Sequence, residues 1–428
     1  MCFKEYVLAK YQLLRFEANQ EIKLMLIEGM AEIFGTELCQ SFEYSFRAGH
    51  RGSVTTFHGC KITITGSDFD AFVLEAIEDN DLIHVYANIH ASFHKFRTEA
   101  VSNQTKGPRV LVCGPANSGK GTLCKVLANY AARRNSTPIL IDLNPNSNQI
   151  CVPSTLAAMH VKKPYDLSVG WDLHEDPIAF PFCHLDPSDN FDLYKQQLEH
   201  LAELVDVRCE NDAMTFASGC IIRMSDFSRT SQKKQACLSQ IETVVDCFGV
   251  DYVIVIEDGF LQSYLKERLS KEITVIRIPK SSATPSFTPD QLNHQRDLRI
   301  SAYFHGESLS EKLQPRREKI NTQNVQIYQV GTEALPEWLL PQGEQTDVAE
   351  TWKQVIKLPC HTDTLKNRLL AASQASCPED IPTSPVYGFL AVDDVEGHFI
   401  KVLAPTEGLP DTQFYVASIG FIDPVGDL

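Results

Sequence analysis

The chain has 428 residues, 43% of them hydrophobic and 22% charged, which is typical of a folded globular protein with two or three domains. The net charge of −16 disfavours non-specific attraction to a nucleic-acid backbone. No apolar run approaches the roughly 18 to 20 residues of a membrane span, so we expect no membrane association. The thirteen cysteines have no C-x-x-C spacing, which predicts neither a disulfide framework nor a metal site.

Residues 1–102 contain short segments in which apolar and polar residues alternate, such as Ile22–Ile27 and Lys61–Thr65. Glycine and Asn/Asp turns separate these segments. This pattern predicts an N-terminal β domain, built as a small antiparallel sandwich or barrel.

Residues 107–305 contain apolar runs that alternate with segments of helical periodicity, which predicts an α/β domain with a parallel sheet covered on both faces. The predicted strands are Arg109–Cys113, Pro138–Leu143, Gly219–Ile222, Asp251–Ile256 and Ile273–Ile278. The predicted helices lie near 191–209, 233–248 and 260–270.

Residues 306–428 return to short strands, at Val325–Tyr328, His398–Leu403 and Gln413–Ala417. They predict a C-terminal, mainly β domain. The polar segment 305–324 is interpreted as a linker. The whole chain is therefore predicted to be a central α/β domain flanked by two mainly β domains.

A glycine-rich loop, Gly114-Pro-Ala-Asn-Ser-Gly-Lys-Gly-Thr122, follows the first strand of the central domain and precedes a helical segment. A strand, a loop of the form Gly-x₄-Gly-Lys and a helix together indicate a phosphate-binding loop (P-loop), in which Lys120 reaches the β- and γ-phosphates. An ordinary glycine-rich turn is the alternative. Gly121 stands where the Ser or Thr ligand of Mg²⁺ normally lies. Thr122 is rotated by about 100° along the helix, so we predict weak Mg²⁺ binding.

The sequence resembles the Clp-one family of polynucleotide 5′-hydroxyl kinases, which acts in pre-mRNA 3′-end cleavage and tRNA splicing. The resemblance runs nearly end to end. It implies a central P-loop kinase domain between two β domains, transfer of the ATP γ-phosphate to an RNA 5′-hydroxyl, and a nuclear setting. It rests on the glycine loop and on these strings: Leu14–Glu17, Gly29–Leu38, Val152–Thr155, Ser218–Cys220, Phe248–Val255, Tyr303–Gly306, Val386–Phe389 and Val402–Pro405.

The positions to which the resemblance assigns catalysis are altered. Asn144 replaces an aspartate that aligns the nucleophile and the metal, and Phe227 replaces a tryptophan that packs on the RNA end. Phe287 and Leu292 replace two lid arginines, and Gly121 is the fifth change. Asp226 adds negative charge beside Phe227. Loss of a general base alone typically costs about 10² to 10⁴ in rate.

Possible substitutes for the lost groups are Asp142, two residues before Asn144, and the lid residues Arg296 and Arg299. The nucleotide-holding positions are better kept. The resemblance implies that Arg51 reaches the nucleotide from the N-terminal domain and that Leu13 lies at a position that contacts adenine. The residues expected to hold ATP are Leu13, Arg51, Gly114, Asn117, Ser118, Gly119, Lys120, Gly121 and Thr122.

Two main hypotheses follow from the sequence. In the first, the chain is an ATP-binding subunit of the pre-mRNA cleavage and polyadenylation machinery with little or no kinase activity, docked on a protein scaffold and binding RNA weakly if at all. In the second, it is an active ATP-dependent RNA 5′-hydroxyl kinase with relocated catalytic groups. A different NTPase activity and a diverged paralogue with another partner stay open.

Overall fold

The computed structural model describes residues 2–74, 82–171, 177–281, 287–307, 313–331 and 355–421. The N-terminal domain is a β-sandwich, as predicted. Its sheets have the strand orders β1-β8-β3-β6 and β5-β4-β7-β2-β9. Every second side chain of the second strand is buried, as expected where one face of a strand covers a core. The strands are β1 (Cys2–Leu8), β2 (Leu13–Ala18), β3 (Ile22–Gly29), β4 (Glu32–Ile33), β5 (Thr36–Glu37), β6 (Glu43–Phe46), β7 (Arg51–Thr55), β8 (Cys60–Gly66) and β9 (Phe69–Leu74).

A long helix, α1 (Leu82–Asn103), connects the sandwich to the central domain. The central sheet has the order β13-β12-β11-β14-β10-β15-β16. Its strands are β10 (Arg109–Cys113), β11 (Ile139–Asp142), β12 (Thr155–His160), β13 (Ile178–Pro181), β14 (Cys220–Arg223), β15 (Tyr252–Ile256) and β16 (Thr274–Ile278). Its helices are α2 (Lys120–Arg133), α3 (Phe191–Asn211), α4 (Ala213–Ser218), α5 (Ser231–Phe248), α6 (Gly259–Arg268) and α7 (Pro289–His305).

The five strands β11, β14, β10, β15 and β16 pair in parallel. Strand β10 is buried along its whole length, as expected for a strand covered by helices on both faces. The predicted α/β fold is confirmed. The sheet also contains two strands that were not predicted from the sequence, β12 and β13. Strand β12 pairs antiparallel with β11, and β13 pairs antiparallel with β12.

The C-terminal domain is built on a sheet of order β17-β22-β21-β20-β23-β18-β19. The interpretation of 305–324 as a linker is wrong for its second half, because β17 pairs with β22 at the edge of this sheet. The elements are β17 (Arg316–Asn321), β18 (Gln326–Val330), β19 (Val355–Leu358), α8 (Thr362–Leu365), β20 (Arg368–Ser373), β21 (Val386–Glu396), β22 (Phe399–Ala404) and β23 (Phe414–Gly420).

Both β domains contact helices of the central domain. The Asn129 amide on α2 donates to the Phe34 carbonyl of the sandwich at 2.8 Å. The Tyr303 hydroxyl on α7 accepts from the Phe389 N–H of the C-terminal domain at 3.2 Å. Among the described residues, no helix is both long and apolar enough to cross a membrane. Residues of the sandwich and of α7 line a common cavity with the glycine loop.

Candidate functional site

The glycine loop joins the end of β10 to the start of α2. Gly119, the residue before α2, has a left-handed φ of 96°, and the first turn of α2 has neither a side-chain cap nor an acidic residue. A Cβ at Gly114 would lie 2.9 Å from the Ser118 hydroxyl. That hydroxyl is buried and has no hydrogen-bond partner in the described part of the chain. Exposed backbone N–H groups at a helix N-terminus and an unsatisfied hydroxyl are suited to holding phosphate oxygens.

Lys120 is buried, with 3% of its side chain exposed, and its ammonium group makes three contacts. It donates to the carbonyls of Gly114 at 3.0 Å and Pro115 at 2.8 Å, and to the Asp226 carboxylate at 2.7 Å. A lysine ammonium has three donors. Every donor of Lys120 is therefore used inside the protein.

Asp226 follows β14, the strand beside β10. The same carboxylate oxygen that contacts Lys120 also accepts from the Asn144 amide at 3.2 Å. Burial acts to raise the pKa of Asp226, but the charges of Lys120 and Arg223 and the hydrogen bonds hold it below its usual value. Asp226 is therefore ionised at neutral pH. The charge of Asp226, expected beside Phe227, contacts the loop lysine in the structure.

Asp142 lies at the end of β11 and is 2% exposed. Arg223 on β14, its register partner, donates to Asp142 Oδ2 at 2.8 Å. The same oxygen accepts from the Gln149 N–H at 2.8 Å, and Oδ1 accepts from the Asn144 N–H at 3.0 Å. Both oxygens of this predicted substitute base are thus engaged with neighbouring protein groups.

Gln149 lies beside the position of the missing Mg²⁺ ligand. A Cβ at Gly121 would lie 2.3 Å from Gln149 Nε2 and 2.8 Å from its Cδ. The Gln149 side chain therefore occupies the space into which a Ser or Thr at position 121 would project. Within the described ranges, no group of three or more His, Cys, Asp or Glu side chains is placed to hold a metal ion.

Two cavities meet at the loop. One of about 210 Å³ lies between the sandwich and α2, where its lining brings together Leu13, Arg51, Gly119 and Thr122 of the predicted nucleotide site with the ring of Tyr86. Arg51 pairs with Glu17. The lining of this cavity combines aliphatic and aromatic side chains with a few polar ones, as small-molecule sites do.

The second cavity, of about 420 Å³, lies over the loop and under α7. Its lining includes the predicted nucleotide residues Asn117, Ser118 and Lys120. Phe287 and Leu292, at the positions of the lid arginines, also line it, and the Phe287 ring centroid is 5.1 Å from the Arg51 guanidinium.

The remaining lid arginines make different contacts. Arg296 donates twice to the Asn146 side-chain oxygen, at 3.0 and 2.7 Å, at the border of the larger cavity. Arg299 donates to the carbonyls of Cys151 at 3.0 Å and Gln149 at 2.8 Å and pairs with Glu307 at 2.7 Å. Arg299 therefore holds α7 against the loop that follows β11.

Phe227 does not face either cavity. Its side chain is 5% exposed, and its N–H donates to the Gly114 carbonyl at 3.0 Å. This backbone contact holds the segment after β14 against the glycine loop. The ring belongs to the core, where it is not placed to stack on a nucleic-acid base.

Several residues of the site were not singled out from the sequence, among them Arg223, Gln149 and Lys125. Arg223 is a charged residue at the carboxyl end of an apolar strand, which is a signal that could have been used. Lys125 lies one turn into α2, with its ammonium 3.7 Å from the Tyr165 ring centroid, and burial lowers its pKa to about 8. Gln149 carries no signal in the sequence.

Comparisons with known proteins match every part of this architecture. Three family models match: the N-terminal β-sandwich domain of polyadenylation factor at residues 7–100, the P-loop domain of mRNA cleavage and polyadenylation factor CLP1 at 114–306, and pre-mRNA cleavage complex II protein Clp1 at 313–423.

Among curated proteins, the polyribonucleotide 5′-hydroxyl-kinase Clp1 of Gallus gallus is 30% identical over 426 residues, covering 97% of each chain. The Homo sapiens protein of the same name is 29% identical over 415 residues, covering 96% of this chain and 94% of that protein. The solved structure of a wild-type Clp1p–Pcf11p complex matches with a TM-score of 0.83 and 20% identity, covering 98% of each chain. At that identity, the solved structure supports the fold alone.

Proposed function

This chain belongs to the Clp1 family of pre-mRNA cleavage factors, and from that premise we propose that it is a subunit of the nuclear 3′-end cleavage and polyadenylation machinery. It binds ATP or a related nucleotide at the glycine loop and has little or no kinase activity. We also propose that its units are residues 1–102, 107–305 and 306–428. Mg²⁺ contributes little to nucleotide binding, because Gly121 supplies no hydroxyl ligand.

The main support for the proposed lack of kinase activity is the contact between the Lys120 ammonium and the Asp226 carboxylate, at 2.7 Å. In phosphoryl transfer, a P-loop lysine neutralises charge on the β- and γ-phosphates as the bond breaks. Here an ionised carboxylate already neutralises that lysine. A further carboxylate beside the γ-phosphate also raises the energy of the anionic transition state.

The candidate substitutes for the lost groups are held by other contacts. Asp142 neutralises the buried Arg223, and taking up a proton there would leave an uncompensated buried guanidinium, which is costly. Arg299 is bound to carbonyls and to Glu307. Arg296 and Arg299 both line the larger cavity, and the Arg296 guanidinium is bound to Asn146.

The proposed nucleotide site is formed by the start of α2, the Ser118 hydroxyl and the smaller cavity. The uncapped start of α2 and the buried Ser118 hydroxyl are suited to the phosphates, and the smaller cavity at Leu13 and Tyr86 accepts the base. A bound nucleotide holds the sandwich, the loop and α2 together, and at 100 times its Kd it adds about 2.7 kcal/mol of stability. We infer that its role here is to stabilise the fold.

The partner is a protein scaffold of the cleavage factor. The solved relative is a complex of Clp1p with a segment of Pcf11p, and this chain matches it along almost its whole length. We therefore propose that this chain docks a Pcf11-like subunit. RNA contributes little to binding, because the net charge is −16 and Asp226 faces the phosphate site.

The alternative function is an active RNA 5′-hydroxyl kinase. One observation favours it: the Asp226 carboxylate lies 3.2 Å from the amide of Asn144, so a negative group is still present near the position where the family has its aspartate. In that case Asp226 accepts the proton of the attacking hydroxyl, and Arg296 takes the place of the lid cations.

A phosphate-transfer assay separates the two functions. The purified chain is incubated with γ-labelled ATP, Mg²⁺ and an RNA with a 5′-hydroxyl end, with Lys120→Ala as the matched control and the human relative as the positive control. We expect no transfer above that of Lys120→Ala. Transfer by the wild type that is lost in Lys120→Ala overturns the non-catalytic function.

The subunit role has its own test. A Pcf11 segment equivalent to the one in the solved complex is mixed with the chain and analysed by size-exclusion chromatography with light scattering. We expect a stable complex of one copy of each. Failure to form any complex contradicts the subunit role, whatever the kinase assay shows.

A further inference from the structure

The contact of Lys120 with Asp226 bears on which nucleotide the loop holds. The lysine reaches two carbonyls of its own loop, Gly114 and Pro115, and one carboxylate from another strand. The carbonyl contacts fix the direction of the side chain. The third donor, which points out of the loop, is the one a phosphate would use, and Asp226 occupies it.

Asp226 and Lys120 line the larger cavity, and neither lines the smaller cavity proposed for the base. A phosphate chain that runs from the base across the loop would therefore reach Asp226 with its last phosphate. The Asp226 carboxylate bridges Lys120 and Asn144, at 2.7 and 3.2 Å. A γ-phosphate on Lys120 would have to displace this carboxylate from its two donors.

The rest of the cradle is not blocked. The α- and β-phosphates are held mainly by backbone N–H groups of the loop and by the helix N-terminus. The first turn of α2 has no side-chain cap, and the Ser118 hydroxyl has no partner among the described residues. Asp226 contacts neither of these features.

Among the other cations that line the larger cavity with Asp226, three are held by another group: Arg51 pairs with Glu17, Arg299 pairs with Glu307, and Arg296 donates to Asn146. Mg²⁺ is the other possible source of positive charge, but the space beside Gly121 is filled by Gln149. The buried guanidinium of Arg223 is already paired with Asp142 at 2.8 Å. A γ-phosphate would therefore compete with the Asp226 carboxylate for Lys120, and Gly121 has no hydroxyl ligand to bring Mg²⁺ to the site.

We propose that the glycine loop holds a nucleoside diphosphate in preference to a triphosphate, with the Asp226 carboxylate taking the place of the γ-phosphate on Lys120. This inference rests on the nucleotide site of the proposed function and names its ligand. It makes Asp226 the residue that determines nucleotide specificity. A chain built this way keeps a bound nucleotide but has no phosphoryl group to transfer.

Calorimetric titration of the nucleotide-free chain with ADP and with ATP, in EDTA and then with Mg²⁺, tests the proposal. We expect the wild type to bind ADP at least as tightly as ATP under both conditions. In Asp226→Asn, which keeps the size of the side chain but removes its charge, ATP affinity should rise at least tenfold and ADP affinity less than threefold. Asp192→Asn is the matched control, because Asp192 is an exposed aspartate in the first turn of α3, away from the loop.

Several results overturn the proposal. Wild-type protein that binds ATP tenfold more tightly than ADP contradicts it without any variant, so a poorly folded Asp226→Asn does not leave the question open. An unchanged ratio of affinities in Asp226→Asn also contradicts it. Binding of neither nucleotide removes both this inference and the nucleotide part of the proposed function.

The kinase assay measures phosphate transfer to RNA, which is a different quantity from the affinities for ADP and ATP. RNA phosphorylation by the wild type that disappears in Asp226→Asn would make Asp226 a reacting base and would overturn the proposal. Complex formation with the Pcf11 segment tests the subunit role alone. Failure of the specificity inference and failure of the proposed function are therefore separate results.

Discussion

Replacing Lys120 with methionine should destabilise the chain even when no nucleotide is present. In a P-loop whose lysine lacks a protein anion, losing the buried ammonium removes a desolvation cost and no ion pair. Here the ammonium is 3% exposed and contacts a carboxylate at 2.7 Å. Methionine keeps the length of the side chain, so the change removes the charge and its three hydrogen bonds with little loss of packing.

The expected loss follows from the burial of the two partners. Removing one partner of a fully buried ion pair costs about 3–5 kcal/mol. The Asp226 side chain is 27% exposed and keeps the Asn144 amide, so we expect about 2 kcal/mol. For a domain of this size, each kcal/mol lowers Tm by about 2–4 °C, which predicts a decrease of about 4–8 °C in thermal unfolding.

The pH dependence identifies the ion pair as the cause. Burial alone would raise the pKa of Asp226, yet Lys120 and its other partners hold it below the usual value in the folded state. The ion pair therefore contributes fully above the unfolded pKa of about 3.9, and its contribution is lost as the pH falls through the folded pKa. The Tm difference between the wild type and Lys120→Met should be full at about pH 6 and shrink below about pH 4.

The double variant Lys120→Met/Asp226→Asn supplies the control. With no charge left to pair, the cost of losing the ammonium should fall by at least about 1 kcal/mol, the coupling expected for side chains in contact. A neutral or stabilising Lys120→Met contradicts the reasoning. An equal loss in the Asp226→Asn background would show that the carbonyl contacts alone explain the effect.

Two further predictions concern the neighbours of the loop. Gly121→Ala should change the free energy of unfolding little in the wild type, because its gain of up to about 1 kcal/mol in helix propensity is offset by displacement of Gln149. In a Gln149→Ala background, the same change should stabilise the chain by about 1 kcal/mol in denaturant unfolding. Equal effects in both backgrounds would contradict the contact between Gly121 and Gln149. Arg299→Lys should lower the Tm of the nucleotide-free chain by several degrees, because a lysine cannot reproduce the bonds to the Cys151 carbonyl and to Glu307. An unchanged Tm would mean that these bonds do not hold α7 against the loop that follows β11.

Much of the fold was predictable from the sequence because its signals are local. The helices predicted near 191–209, 233–248 and 260–270 are α3 (Phe191–Asn211), α5 (Ser231–Phe248) and α6 (Gly259–Arg268). Each has an apolar stripe at helical spacing. Two of them begin after side chains that cap the first turn, Asn190 and Asp258. The parallel strands also have a local signal, because strands buried on both faces are continuous apolar runs in the sequence.

The features that were not predicted depend on pairing between distant segments. Strands β12 and β13 are antiparallel additions at the edge of a parallel sheet, and their short segments carry no distinctive periodicity. Lys120 and Asp226 are 106 residues apart. Their meeting follows from the position of β14 beside β10, since the carboxyl ends of parallel neighbours lie at the same edge. The strand order, which the sequence analysis did not determine, is the missing step.

The positions of the two substitutions explain how the loop lysine is retained. Relative to the family pattern, a carboxylate is absent at Asn144 and present at Asp226, and the two side chains are in contact at 3.2 Å. A negative charge is therefore present near the loop, and in the structure it contacts the lysine. A lysine paired in this way stabilises the fold whether or not a phosphate is transferred. Its presence in the glycine loop is consequently weak support for kinase activity in this chain. The change in the free energy of unfolding caused by Lys120→Met measures how much this lysine contributes to the stability of the fold.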